Sequence, residues 1–167
     1  MLTQDRLKEL FSYDPLTGVV TRKVKTNNST KIGEVVGSLS AAGYLHAKVD
    51  SKSYRLHRLA YFYMTGNWPN ITDHINGVKN DNRWANLRSC TQQQNTFNQK
   101  ISSNNTSGFK GVSWVSKRKK WYVTVGGHKP NPHVGAFDSL EEAAIVAKRV
   151  QAEVHGVYAC SGQKSIC

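Results

Sequence analysis

Between residues 72 and 95 the chain reads TDHINGVKNDNRWANLRSCTQQQN, which sets a carboxylate, Asp73, directly before an imidazole, His74, and adds carboxamides at Asn76, Asn80, Asn82, Asn86 and Asn95. Hydrolysis of a phosphodiester takes a nucleophilic water, a base to deprotonate it, and positive charge for the oxyanion and the leaving oxygen. His74 suits the base, because an imidazole with an unperturbed pKa near about 6.5 is largely neutral at working pH. The Asp73 carboxylate and the Asn95 amide oxygen are hard donors suited to Mg²⁺ or Mn²⁺, one ion per active site. Two protein oxygens leave most of an octahedral shell to water and phosphate, whereas zinc prefers more nitrogen or sulfur. The bland alternative is a polar turn, since Asn-Gly among further asparagines is ordinary loop chemistry.

Such residues need a scaffold. ITDHI reads as a short strand, NG as a tight turn, NLRSC as a returning strand, and Thr91 with Gln94 as a capping box that starts a helix near Gln92. Strand, loop, strand and helix in this order can bring Asp73 and His74 near Asn95. Successive strand residues point to opposite faces, so irregular geometry is expected at the Asp73–His74 step. Upstream, TQDRLKELF places Leu7, Leu10 and Phe11 on one helical face, DPLTG supplies a turn, and VVTRKV a strand. YLHAKVD and YRLHRLA, joined by SKS, form an expected hairpin. A helix from His57 to Met64, ended by Gly66 and Pro69, covers that sheet, with His57 at its start.

The 167 residues suffice for one domain or two small modules, and 23 Lys and Arg against 11 Asp and Glu give a net charge of +12, which favours a polyanionic partner. Cys90, Cys160 and Cys167 form no CxxC pair, so neither a zinc knuckle nor a disulfide framework is indicated and a reducing compartment fits. MLTQDRLKEL lacks the pattern of a signal peptide, and no apolar run of about 18 residues occurs, so a soluble intracellular protein without a membrane partner is expected. The polar stretch over residues 99–105 reads as a linker. After it, FKGVSWV, KWYVTVG and HVGAF look like three strands, followed by a helix that Ser139 and Glu142 start and Gly156 stops. Leu140, Ala143, Ala144, Ala147, Val150 and Val154 form its apolar face. The fold class is α+β.

The spacing of the first site, twelve residues from His74 to Asn86 and nine from Asn86 to Asn95, resembles the HNH endonuclease motif in the form found in phage and intron-encoded homing endonucleases. LFSYDPLTG, HRLAYFYMTGNWP and DHINGVKNDNRWANLR are similar to the surrounding sequence of that family. The resemblance implies an HNH module over residues 1–98 with a ββα-metal core at about 70–98, Asp73 and Asn95 as metal ligands, His74 as general base, and Asn86 as the carboxamide that ties the loop and orients the base. Asn82 and Asn98 are alternatives for those roles, and Arg83 and Arg88 are candidates for phosphate binding.

SGFKGVSWVSKRKKWYV, HVGAFDSLEEAA and AEVHGVYA resemble the ethylene-response-factor (apetala-two type) DNA-binding domain over residues 106–160, leaving a tail at 161–167. In that family the sheet enters the major groove. Strand parity makes the same split, turning Trp121, Val123 and Val125 toward the helix and Tyr122 and Thr124 outward. Ser113, Val115 and Asn131 stand where that family carries base-reading arginines. Lys110, Ser113, Tyr122, Thr124 and His133 are the remaining candidate DNA contacts, with Lys117, Arg118, Lys119 and Lys120 as a phosphate clamp. Trp114 and Trp121 are expected in the core.

Together these readings imply a phage-encoded homing endonuclease that cuts double-stranded DNA in the cytoplasm of a bacterial host, associated with the nucleoid. One site per chain implies nicking by a monomer, or cutting of both strands by a homodimer or in two events. A non-catalytic, sequence-specific DNA-binding regulator with a degenerate nuclease fold is the alternative, and an RNA-binding protein is a second one.

Overall fold

The computed structural model of the chain describes residues 2–99 and 101–159; Cys160, Cys167 and the expected tail lie outside the described residues. Backbone packing divides the chain into two compact units, Met1–Gln92 and Gln93–Cys167. Both mix short antiparallel sheets with few helices, as an α+β class requires.

In the first unit α1 (Gln4–Leu10) starts where the Thr3 hydroxyl accepts a bond from the Arg6 backbone at 3.2 Å. Phe11, expected on this helix, instead opens β1 (Phe11–Tyr13). Its extended backbone pairs with Arg22 of β2 (Val20–Arg22), and the ring is buried all the same. β3 (Ser38–Leu39), β4 (Leu45–Val49) and β5 (Lys52–Arg55) form an antiparallel sheet in the order β3-β4-β5, with β5 at an edge. The β4–β5 turn is Asp50–Ser51, both at positive φ (44° and 68°), a mirror-image turn made without glycine. α2 (Leu56–Thr65) follows and stops at Gly66, whose φ of 72° no β-carbon favours. Leu7, Phe11, Val49, Leu56 and Leu59, all nearly inaccessible, knit α1, α2 and the strands into one core.

β6 (Ile71–His74) and β7 (Leu87–Cys90) pair antiparallel in register from Ile71–Cys90 to His74–Leu87. The expected irregularity at Asp73–His74 is not seen. The ladder is regular through His74 and ends there, so the two side chains diverge as strand geometry demands. α3 (Gln92–Phe97) then begins, and from Gln93 on it belongs to the second unit.

In the second unit β8 (Val112–Val115), β9 (Lys120–Thr124) and β10 (His133–Phe137) form an antiparallel sheet with β9 central, packed on α4 (Leu140–His155). The Ser139 hydroxyl caps α4 by accepting from the Glu142 backbone at 3.0 Å. Val112, Val123 and Val125 meet Ala143, Ala147 and Val150, and the alanines let helix and sheet approach closely. Trp114, expected in the core, is 43% exposed: its ring leans on Trp121 of the paired strand at a centroid distance of 5.1 Å and has water on its other side. Among the described residues no helix is long and apolar enough to cross a membrane.

Candidate active site

His74 closes β6 with its ring 5% exposed, and Nε2 lies 3.1 Å from Oδ1 of Asn82, itself 2% exposed. With its oxygen toward the ring the Asn82 amide accepts a proton carried on Nε2, which leaves the lone pair of a neutral ring on Nδ1, while Asn82 Nδ2 is buried without a partner among the described residues. Burial pushes the His74 pKa down, opposed by the bond to Asn82 and by the nearby Asp73 and Asp81 charges. The net shift is downward, toward the neutral imidazole.

Where the resemblance implies Asn86 as the carboxamide that orients His74, the carboxamide on the ring is that of Asn82. Asn86 does tie the loop: Oδ1 accepts from the Asn76 backbone at 2.9 Å and Nδ2 donates to the Asp81 carbonyl at 2.8 Å. These two bonds bridge the connection between β6 and β7. Inside it, Asn76 Nδ2 donates to Asp81 at 2.7 Å, and Arg83 forks onto the same carboxylate at 2.8 and 2.6 Å. Arg83, first, and Asn76 hold the Asp81 pKa well below the usual carboxylate range against the opposing effect of burial.

The loop is held from outside by β1 and the turn after it. The Tyr13 hydroxyl donates to the Asn82 carbonyl at 2.7 Å, and the Trp84 backbone donates to the Pro15 carbonyl at 2.9 Å. Gly18, at φ 74°, closes that turn, and a β-carbon there would collide with the backbone of Asn82 and Arg83. The DPLTG turn thus sets where Asn82 stands.

Asp73 faces across the ladder to Arg88, which donates Nε and a terminal nitrogen to Oδ2 at 2.9 and 2.7 Å. With side-chain exposures of 8% and 14%, the pair is a buried ion pair in which each charge makes the other tolerable. Arg88 therefore neutralises a carboxylate, and Arg83 is engaged by Asp81.

His57, read from sequence as the start of a helix, lies against His74. It is 3% exposed, with its ring edge-to-face on His74 at 4.8 Å, and its Nδ1 is buried without a partner among the described residues. Burial, followed by the charges of His74, Arg55, Arg58 and His46, pushes its pKa down to about 3. Tyr44 lies tilted against both rings, at 5.2 Å from His57 and 6.2 Å from His74, with the cations of Arg55 and Lys79 over its face at 4.6 and 5.1 Å. The helical phase of HRLAYF could have exposed His57, since it puts His57 and Ala60 on one buried face. Nothing in the sequence pointed to Tyr44 or Lys79.

Asn95 stands on α3 in the second unit, and Asn98, which is buried, lies in the turn just after that helix. Asp73 and Asn95, the metal ligands that the resemblance implies, offer one carboxylate and one amide oxygen, donor types that suit a hard, mostly hydrated ion. Among the described residues no cluster of three His, Cys, Asp or Glu stands ready to hold a metal by protein ligands alone.

In the second unit Lys110 donates to the Phe97 and Gln99 carbonyls at 2.8 and 2.6 Å, tying down the end of α3. Its ammonium is a structural cap there. Ser113, Tyr122, Thr124 and His133 share the sheet face away from α4, with Tyr122 and His133 stacked at 5.0 Å and Arg118 6.0 Å from the Tyr122 ring. Lys117, Arg118 and Lys119 crowd the exposed β8–β9 turn, where Lys119 adopts φ 50°, while Lys120 pairs with Asp138 at 3.0 Å.

Residues 54–97 match the family model described as HNH endonuclease, a span that takes in His57, the β6–β7 loop and Asn95. Protein 3.8 of Escherichia phage T7 is 36% identical over 87 residues, which are 52% of this chain and 71% of that protein. No solved structure matches the chain. Carrying an HNH endonuclease domain at residues 54–97, the chain belongs to the same family as protein 3.8 of phage T7.

Proposed function

We propose that the chain is a metal-dependent DNA endonuclease, phage-encoded and of the homing type, with His74 as the general base. The observation that carries this reading is a buried imidazole, held by the Asn82 carboxamide and with its pKa pushed down, on the strand that also carries Asp73, inside the HNH match. In the reaction, His74 Nδ1 takes a proton from the water that attacks phosphorus, and Asn82 keeps the ring aimed through Nε2–H. Asp73 and Asn95 would hold a Mg²⁺ or Mn²⁺ ion, which supplies charge for the developing oxyanion and the leaving oxygen when bound. Arg88 holds Asp73 in place, and Asn86 keeps the loop closed so that Asn82 cannot drift from the ring.

Target choice falls to the second unit. The exposed Ser113, Thr124 and His133 and the half-buried Tyr122 would face the groove, and Lys117, Arg118 and Lys119 would bind phosphates. The basic composition and the phage relative both support DNA in an infected bacterium as the substrate.

A supercoiled-plasmid assay with Mg²⁺ or Mn²⁺ tests the reading. Wild type should nick, while His74→Ala should lose about 10²-fold or more in rate with DNA affinity nearly unchanged. Absence of nicking on every plasmid tried, including the source genome's own DNA, would leave a DNA-binding regulator built on a nuclease fold.

A further inference from the structure

A cavity of about 600 Å³ runs along β5, the edge strand of the three-stranded sheet, and is lined by His46, Lys52, Arg55 and Arg58 together with Tyr54 and Trp68. Among the described residues no carboxylate lines it. A neighbouring hollow of about 290 Å³ shares Leu2, Lys52 and Tyr54 with it and contains Asp50, but that charge is engaged by Arg6 at 3.2 Å. The cavity is thus left electropositive. Arg58 donates a terminal nitrogen to the Pro69 carbonyl at 3.1 Å, whereas its Nε is buried with no partner among the described residues. The guanidinium retains donor capacity beside the cavity.

The aromatic residues are arranged as a stack. Phe62, in the core, lies 4.3 Å from Trp68 at an interplanar angle of 12°, and Trp68 lies 5.6 Å from Tyr54 at 21°. The stack therefore runs from the buried Phe62 to two rings that line the cavity wall. Cations around an aromatic face are what a nucleotide needs: the ring offers stacking to a base of any identity, and the cations bind its phosphate. The volume is in the range of ordinary small-ligand sites. A base paired inside a duplex offers no free face to such a stack, so the occupant must be unstacked.

We propose that this cavity binds a nucleotide unit, an exposed base with its phosphate, presented by a single-stranded or extrahelical stretch of DNA or as a free mononucleotide. Tyr54, the outer ring of the stack, receives the base with Trp68 behind it, and Lys52, Arg55 and Arg58 the phosphate. Arg55 and Arg58, which line the cavity, flank His57 in the chain, and the His57 ring lies 4.8 Å from that of His74. An unpaired nucleotide seated there would lie near the strand being cut. The proposal does not require that cutting occurs.

The full-length chain, in buffer with EDTA to prevent hydrolysis, is irradiated with a short single-stranded oligonucleotide carrying 5-bromodeoxyuridine, and adducts are mapped by mass spectrometry. The expected result is an adduct on Tyr54 or Trp68. In Lys52→Ala/Arg55→Ala, affinity should fall about tenfold, and log affinity should depend less steeply on log salt by roughly 0.7 for each lost phosphate contact. Both side chains are exposed, and Lys52→Glu provides a single-site check that should weaken binding further. Loss of the adduct under excess dAMP assigns the site to a free nucleotide; loss only under competing oligonucleotide assigns it to a strand. Adducts confined to other regions, or adducts and affinity unchanged in the charge variants, would overturn the proposal. An adduct formed by a chain that nicks no DNA would leave the cavity standing and remove only the nuclease reading.

Discussion

Two residues beside His74 make predictions that separate chemistry from packing. Asn82→Asp keeps shape and acceptor but places a charge 3.1 Å from Nε2, which favours the imidazolium and raises the His74 pKa. The acid limb of the kcat/KM profile should move to higher pH, lowering activity below neutrality while DNA affinity in EDTA is unchanged; an unmoved limb would detach Asn82 from the base. His57 speaks through stability. Its folded pKa of about 3 lies below the ordinary 6.5, so between these values the unfolded chain binds a proton that the folded one refuses. Stability is complete above pH 6.5 and falls as pH drops, by up to about 1.4 kcal/mol per pH unit, until the folded ring is protonated near pH 3. His57→Phe should flatten the slope of unfolding free energy against pH by that amount, leaving the smaller contribution of His74, whose shift has the same sign. A buried acceptor with no partner costs stability, so the Phe variant should be no less stable at pH 8. A side chain that lowers stability where it stands is what a functional constraint looks like.

At the scale of elements, the β6–β7 loop depends on a turn far from it in sequence. Gly18→Ala adds a β-carbon that meets the Asn82–Arg83 backbone at a φ of 74°, and the cost should be on the order of 1–3 kcal/mol in chemical denaturation. The rate should fall further than stability alone explains, because a misplacement of about 1 Å near the chemistry costs about 10²-fold. A variant destabilised but fully active when folded would show that Asn82 does not depend on the turn. This dependence marks the limit of what was legible in the sequence. Local signals identified the elements well: Ser139 did cap α4, Gly66 did stop α2, and strand parity did sort Val123 from Tyr122. Contacts between distant segments leave no such trace. DPLTG announces a turn but not that the turn buttresses residue 82, and motif spacing points to Asn86 while the ring meets Asn82. Phe11 was misplaced because its burial satisfies helix and strand alike, and pairing with Arg22 decided between them. Trp114 shares its parity with Val112, but parity cannot say that it stands at the sheet's exposed end.

Across the whole molecule, charge is divided evenly. Thirteen Lys and Arg against seven Asp and Glu precede Gln93, and ten against four follow it, so each unit carries +6. Neither unit is a neutral passenger. In the first, much of the positive charge near the loop is already compensated: Arg83 by Asp81 and Arg88 by Asp73. In the second, Lys110 caps α3 and Lys120 pairs with Asp138, leaving Lys117, Arg118 and Lys119 at the β8–β9 turn as its exposed concentration of charge. If those three bind phosphates, replacing them together by alanine removes three counterion-release events. Log affinity for duplex DNA should then depend less steeply on log salt by about 0.9 for each contact, close to 3 in all. The single-turnover rate at saturating DNA should stay near wild type, because no group at His74 is touched. A salt dependence that stays as steep as in wild type would return the turn to the status of a solvated hairpin tip, and DNA affinity would then have to be sought in the first unit, with the exposed cations of β5 first in line.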